Sequence, residues 1–170
     1  PTAAIWGAGG IANTHMDALR SNGIAVAAVV SRTEDGARAF AQRWGIPRWG
    51  TDPAMLFTPE IDCVHICTPP NLHYEMAVTL LEQGTHVLCE KPLCFTTAEA
   101  DELVALSKEK NCVVGVTYGY TGAPMIHKAR EMIARGDLGA IRIINLPFAH
   151  GSHCPEDEKN DAGPKWGAAP

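Results

Sequence analysis

The stretch Ala3-Ala4-Ile5-Trp6-Gly7-Ala8-Gly9-Gly10-Ile11-Ala12 decides the fold. Ala3 to Trp6 is a short apolar run that reads as a strand, the glycines behind it permit a tight turn, and the residues from there to about Arg20 can wind as a helix. Strand, glycine turn and helix in that order make a G-x-G-x-x-A variant of the dinucleotide fingerprint. Gly7 would permit the turn, Gly9 would let backbone approach a pyrophosphate, and the small Ala12 would allow close helix–strand packing. The phosphate would sit at the helix N-terminus, against Gly9, Gly10 and Ile11, where free N–H groups and the helix dipole favour an anion.

Outward from this turn the grammar repeats. Ile24 to Ser31 is a nearly continuous Val/Ala run, as expected of a parallel strand buried on both faces. Thr33 reads as an N-cap for a helix that places Ala37, Phe40, Ala41 and Trp44 on one face and stops at Gly45. Then come a strand over Ile61 to Cys67, a helix from Leu72 to Gln83 closed by Gly84, and a strand over His86 to Cys89. Thr96 and Glu99 form a capping box for a helix to about Lys110, and Val113 to Thr117 is the next strand. Such alternation predicts an α/β fold, a doubly wound parallel sheet of Rossmann type with helices on both faces.

After Thr117 the character shifts. Tyr118 to Gly122 leads into a helix bearing Met125, Ile126, Ala129, Met132 and Ile133, Gly136 stops it, and Ile141 to Ala149 reads as one more strand. Gly, Pro and charged residues from Gly151 onward leave little to bury and read as a mobile tail. We therefore expect a dinucleotide-binding domain over residues 1–118 and the incomplete start of an α+β second domain over 119–170.

Composition narrows the partners. The 170 residues are 46% hydrophobic with a formal net charge of -5 and no Lys/Arg cluster, so no footprint for nucleic acid or anionic lipid is present. No apolar run approaches the roughly 20 residues of a membrane-spanning helix, and no secretory signal opens the chain, so the cytoplasm is the expected compartment. Cys63, Cys67 and Cys89 lie in apolar runs as small hydrophobes, and the spacing of the six cysteines and seven histidines matches no metal site.

Three positions bear on chemistry. At the tip of the second strand, where an acid would accept ribose hydroxyls, stand Ser31 and Arg32; Arg32 can pair with a 2′-phosphate, which favours NADP over NAD, or it can be solvated with no such contact. Thr68-Pro69-Pro70-Asn71-Leu72-His73 and Glu90-Lys91-Pro92-Leu93 end later strands on the side where open parallel sheets bind ligands. A lysine such as Lys91, beside a cationic nicotinamide ring and partly removed from water, can trade a proton with a hydroxyl; a solvated surface lysine is the plain alternative.

Taken in order, the glycine turn, His15, the Thr68 to His73 cluster and Glu90-Lys91-Pro92-Leu93 resemble the glucose-fructose oxidoreductase / inositol dehydrogenase / rhizopine catabolism oxidoreductase family. The resemblance extends from about Ala3 to Ala149 and includes Gly136-Asp137-Leu138-Gly139, similar to the family's turn into the second domain. It implies hydride transfer between a nicotinamide cofactor and a sugar, polyol or related carbonyl compound, with homo-oligomers formed through the second-domain sheet. By this resemblance Lys91 is the catalytic proton donor or acceptor, Glu90 and Pro92 shape the strand end, and Thr68, Pro69, Asn71 and His73 contact the cofactor. The family's Asp and His beyond the first strand of the second domain do not occur before Pro170, and His150 and His153 are the nearest substitutes, so the chain reads as a fragment, a truncated product or a gene remnant carrying a whole cofactor domain, one that would not turn over substrate alone. A non-catalytic dinucleotide-binding regulator and a nicotinamide-dependent glycoside hydrolase are the competing readings.

Overall fold

The computed structural model describes residues 1–148, which divide into two units, one ending at Tyr118 and the other beginning at Gly119. The first unit runs β1 (Thr2–Trp6), α1 (Gly10–Ser21), β2 (Ala25–Val30), α2 (Glu34–Trp44), β3 (Arg48–Gly50), β4 (Cys63–Ile66), α3 (His73–Glu82), β5 (His86–Cys89), α4 (Thr97–Glu109) and β6 (Val114–Val116). The six strands form one sheet in the order β3-β2-β1-β4-β5-β6, every pair parallel. The expected doubly wound α/β fold is thus borne out.

Local signals explain most boundaries. The Thr33 hydroxyl accepts from the Gly36 amide, and Gly45 closes α2 in the left-handed region. At α4 the capping box is complete: Thr96 Oγ1 accepts from the Glu99 amide, while the Glu99 carboxylate accepts from the Thr96 and Phe95 amides. α3 begins at His73, after a 3₁₀ turn over Pro70–Leu72, slightly later than the expected Leu72.

Alternation within β1 and β2 sends side chains to two cores. Ala4, Trp6, Ala28 and Val30 pack with Leu80 and Leu81 of α3 and Leu103 of α4, whereas Ala3, Ile5 and Val29 pack with Ala12, Met16 and Leu19 of α1 and Phe40 and Ala41 of α2. Both faces are covered, which is why these strands read as continuous apolar runs.

The structure adds one strand to those expected and removes another. β3 was not anticipated: its three residues Arg48, Trp49 and Gly50 are too few to show a period and become a strand only by pairing with Ala28, Val29 and Val30. Conversely, residues 141–148 form no strand, and Ile143, Ile144 and Leu146 stand exposed. A strand exists only when a neighbour takes its backbone hydrogen bonds, and no strand pairs with this segment among the described residues. Ala149, His150, His153 and the tail from 151 lie outside the described residues.

The second unit contains a 3₁₀ turn over Gly119–Gly122 and α5 (Pro124–Ala134), with Pro124 in the first turn and Gly136 at positive φ beyond the end. The rings of Tyr120 and Phe148 meet edge to face at 5.6 Å.

Candidate functional site

The strand order reverses between β1 and β4, whose carboxyl ends therefore flank a crevice. Gly7 continues β1 past Trp6, donating to Val30 O at 2.7 Å, and Cys67 continues β4, donating to Trp6 O at 2.8 Å. Gly7 has φ +109, and a Cβ there would lie 2.7 Å from the carbonyl carbon and oxygen of Cys67 and 2.9 Å from Thr68 Cγ2. Only glycine fits, so the turn can pass tightly against the end of β4.

Gly9 and Gly10 lack any such internal reason. Gly9 has φ -82 and ψ -175, open to any residue; a Cβ there would come no closer than 3.9 Å to Cys67 O, and one at Gly10 would meet nothing within 4 Å. Both are exposed at the start of α1, which no side chain caps and whose first turn carries no acid. The missing side chains leave bare amides facing solvent, a cradle that suits a pyrophosphate. Ala12 is fully buried against the sheet, and Ile11 is half-buried beside it.

At the end of β2, Ser31 donates its amide to Gly50 O at 3.0 Å, and Arg32 extends into solvent with no ion pair among the described residues. Across the crevice, Thr68 is buried and its hydroxyl donates to Met76 Sδ at 3.2 Å, while Pro69 and Asn71 are exposed. His73 is placed differently from its expected role as a cofactor contact. It is 0% exposed, with Nδ1 2.7 Å from Pro92 O and Nε2 2.8 Å from Thr68 O. Both ring nitrogens are taken up by the protein, so His73 clamps the loop after β4 to the loop after β5.

The loop after β5 carries Glu90 and Lys91. The carboxylate of Glu90 accepts at Oε1 from Thr117 Oγ1 at 2.6 Å and from His15 Nε2 at 3.1 Å, and at Oε2 from the Lys91 amide at 3.2 Å. Burial pushes the Glu90 carboxyl up, but these hydrogen bonds and the charge of His15 outweigh it, and the net displacement is downward. The Lys91–Pro92 peptide is cis, and the Lys91 side chain is exposed with no hydrogen bond or ion pair among the described residues. Behind Glu90, His15 Nδ1 lies 2.9 Å from Nδ1 of His65, whose imidazole burial and the neighbouring His15 depress to about 4.

Lys91, Glu90 and Thr68 thus gather with Gly7, Gly9 and Gly10 at one edge of the sheet, while Arg32 and Ser31 mark the β2 end of the same edge. His65 and Thr117 were missed. A histidine within the apolar run Cys63-Val64-His65-Ile66-Cys67 is the signal that could have found the first, since a buried imidazole needs a partner. The thiols of half-buried Cys63 and buried Cys89 are pushed up by burial to about 11 and about 12, and that of buried Cys67 is raised further still, which disfavours the reactive thiolate in all three. No cluster that could hold a metal ion occurs among the described residues. A hollow of about 330 Å³ lined by Phe57, Ile61, Asp62 and His86 opens at the amino ends of β4 and β5, the edge opposite the glycine turn.

The profile of the oxidoreductase family with an NAD-binding Rossmann fold, the glucose-fructose oxidoreductase / inositol dehydrogenase / rhizopine catabolism group, matches residues 2–118. The chain belongs to this family. It is 46% identical over 112 residues to an uncharacterized oxidoreductase of Bacillus subtilis (strain 168), a match covering 65% of this chain and 28% of that protein. It is 32% identical over 143 residues to D-glucoside 3-dehydrogenase of Escherichia coli (strain K12), covering 82% of this chain and 41% of the relative. Among solved structures, a 3-ketoreductase from Actinomadura kijaniata in complex with NADP and TDP-benzene superposes with a TM-score of 0.73 at 28% identity, over 79% of this chain and 42% of that one. The chain spans less than half the length of each of these family members. No described helix is long and apolar enough to cross a membrane.

Proposed function

We propose that the complete protein is a nicotinamide-dependent dehydrogenase or reductase acting on a sugar, polyol or related carbonyl compound, with Lys91 as its acid/base. The observation that carries this reading is the pairing at β5: Lys91 has its backbone tethered by Glu90, while its side chain is exposed and unpaired among the described residues, on the strand end that shares the glycine turn's edge of the sheet. The family and its sugar-oxidising relative support the substrate class.

Gly9, Gly10 and Ile11 would take the pyrophosphate on the amides of α1, with Thr68, Pro69 and Asn71 lining the opposite wall. Arg32, exposed and without an ion pair among the described residues, would meet the 2′-phosphate of NADP. The bound nicotinamide supplies a carbon that accepts or gives the hydride. In the oxidising direction the Lys91 amine would take the proton of the substrate hydroxyl, and in the reducing direction its ammonium would return it. Glu90, held by three donors, keeps the lysine's backbone at the strand end throughout. The same reading makes the complete protein a cytoplasmic homo-oligomer assembled through its second-domain sheet.

The test is steady-state reduction of NADP and NAD by a panel of sugars and polyols, using the complete protein and its Lys91→Ala variant. Turnover that the variant abolishes supports the reading. Nucleotide binding with no turnover on any of the panel would favour the regulator instead.

A further inference from the structure

Lys91 is reached from the interior by a chain of side chains drawn from four elements. His65 belongs to β4, His15 to α1, Glu90 follows β5 and Thr117 follows β6. The links run His65 Nδ1 to His15 Nδ1 at 2.9 Å, His15 Nε2 to Glu90 Oε1 at 3.1 Å, and Glu90 Oε2 to the Lys91 amide at 3.2 Å. His15, His65 and Glu90 are 5%, 7% and 8% exposed, so water cannot substitute freely for a missing link.

His15 also stands on the helix whose first turn holds Gly10 and Ile11. A shift of α1 relative to β5 must therefore break or drag the His15–Glu90 contact. Thr117 also donates to Glu90 Oε1, but it descends from β6, beyond β5 and away from α1. Of the donors to this carboxylate, His15 alone comes from the helix of the glycine turn.

We propose that His15 is a positioning residue for Lys91, bonding Glu90 so that the lysine-bearing strand end and the glycine-turn helix move as one body. The proposal rests on the reading of Lys91 as the acid/base. Hydride transfer needs donor carbon, acceptor carbon and proton carrier in register, and a displacement of about 1 Å can cost on the order of 100-fold in rate. His15 keeps the amine in register with whatever the glycine turn holds.

Two polar replacements separate positioning from simple packing. His15→Gln places an amide nitrogen near the Nε2 position and can still donate to Glu90, whereas His15→Asn reaches only toward His65. In this chain, amide hydrogen exchange followed by NMR should show the Lys91 N–H protected in His15→Gln and exchanging faster in His15→Asn, with the amides of β1 and β4 unchanged in both. In the complete protein, His15→Asn should lower kcat about 10-fold at unchanged KM for the nucleotide, and His15→Gln should retain most of it. In a Lys91→Ala background, His15→Asn should cause no further loss.

Equal Lys91 exchange and equal kcat in the two variants would overturn the proposal, as would an undiminished His15→Asn effect once Lys91 is gone. Full activity of Lys91→Ala by itself would refute the lysine reading and the proposal with it. That result is told apart from failure of the proposal alone, in which Lys91→Ala is inactive and His15→Asn is not impaired.

Discussion

Gly7 and Gly9 stand two residues apart in one turn, and replacing each by a larger residue should have opposite consequences. In Gly7→Ala the new methyl would sit at φ +109, a conformation that costs a non-glycine residue roughly 1–3 kcal/mol. It would also lie 2.7 Å from the Cys67 carbonyl, which is backbone at the end of a central strand and cannot swing aside. Overpacking of that kind adds about 1–3 kcal/mol. The combined loss of roughly 2–6 kcal/mol is a large part of the 5–15 kcal/mol that holds an ordinary domain together. Gly9→Ala meets Cys67 O at an ordinary 3.9 Å in unstrained backbone, so its effect on stability should stay within about 1 kcal/mol, the weaker N-cap of alanine set against the less flexible unfolded chain. Urea unfolding followed by the fluorescence of Trp6, Trp44 and Trp49 reads the first difference. Calorimetric titration with NADP reads the second: Gly9→Val should remain folded and lose nucleotide affinity. A Gly7→Ala midpoint equal to wild type would refute the close approach, and a folded Gly9→Val protein with full affinity would refute the phosphate site.

Three further outcomes follow from the same geometry. The His65 imidazole lies near 4 in the folded protein against 6.5 when unfolded, so between those values the unfolded chain takes up a proton that the native one refuses; stability should be complete above pH 6.5 and fall by about 3 kcal/mol toward pH 4. Glu90, whose carboxyl is held below its ordinary value, adds to the loss at still lower pH; urea midpoints that stay constant from pH 7.5 to 4.5 would contradict the His65 assignment. Arg32→Ala should weaken NADP binding by about 10-fold or more and leave NAD nearly unchanged, as a charge-assisted phosphate contact is lost; fluorescence titration with both nucleotides checks it. Lys91→Ala in the complete protein should cut kcat roughly 10²- to 10⁴-fold with little change in nucleotide affinity, measured by single-turnover kinetics beside equilibrium binding.

The sequence by itself determined what depends on neighbours along the chain. Gly7-Ala8-Gly9-Gly10, the Thr33 cap, the Thr96–Glu99 box and the helical spacing of Ala37, Phe40 and Ala41 each act within one or two turns, and the elements they imply stand in the structure. The order of those elements was enough for a doubly wound sheet, because right-handed crossovers leave few alternatives. Tertiary structure decided whatever required two distant segments to meet. β3 is a strand only beside β2, and 141–148 is none because no strand pairs with it among the described residues. His73 changed from an expected cofactor contact to an internal clamp because Thr68 O and Pro92 O arrive on both sides of its ring. His15 lies 50 residues from His65 and 75 from Glu90, so no spacing could announce that cluster. Periodicity records which face a residue takes; it carries no record of which strand will lie alongside, and that is set by register in the sheet.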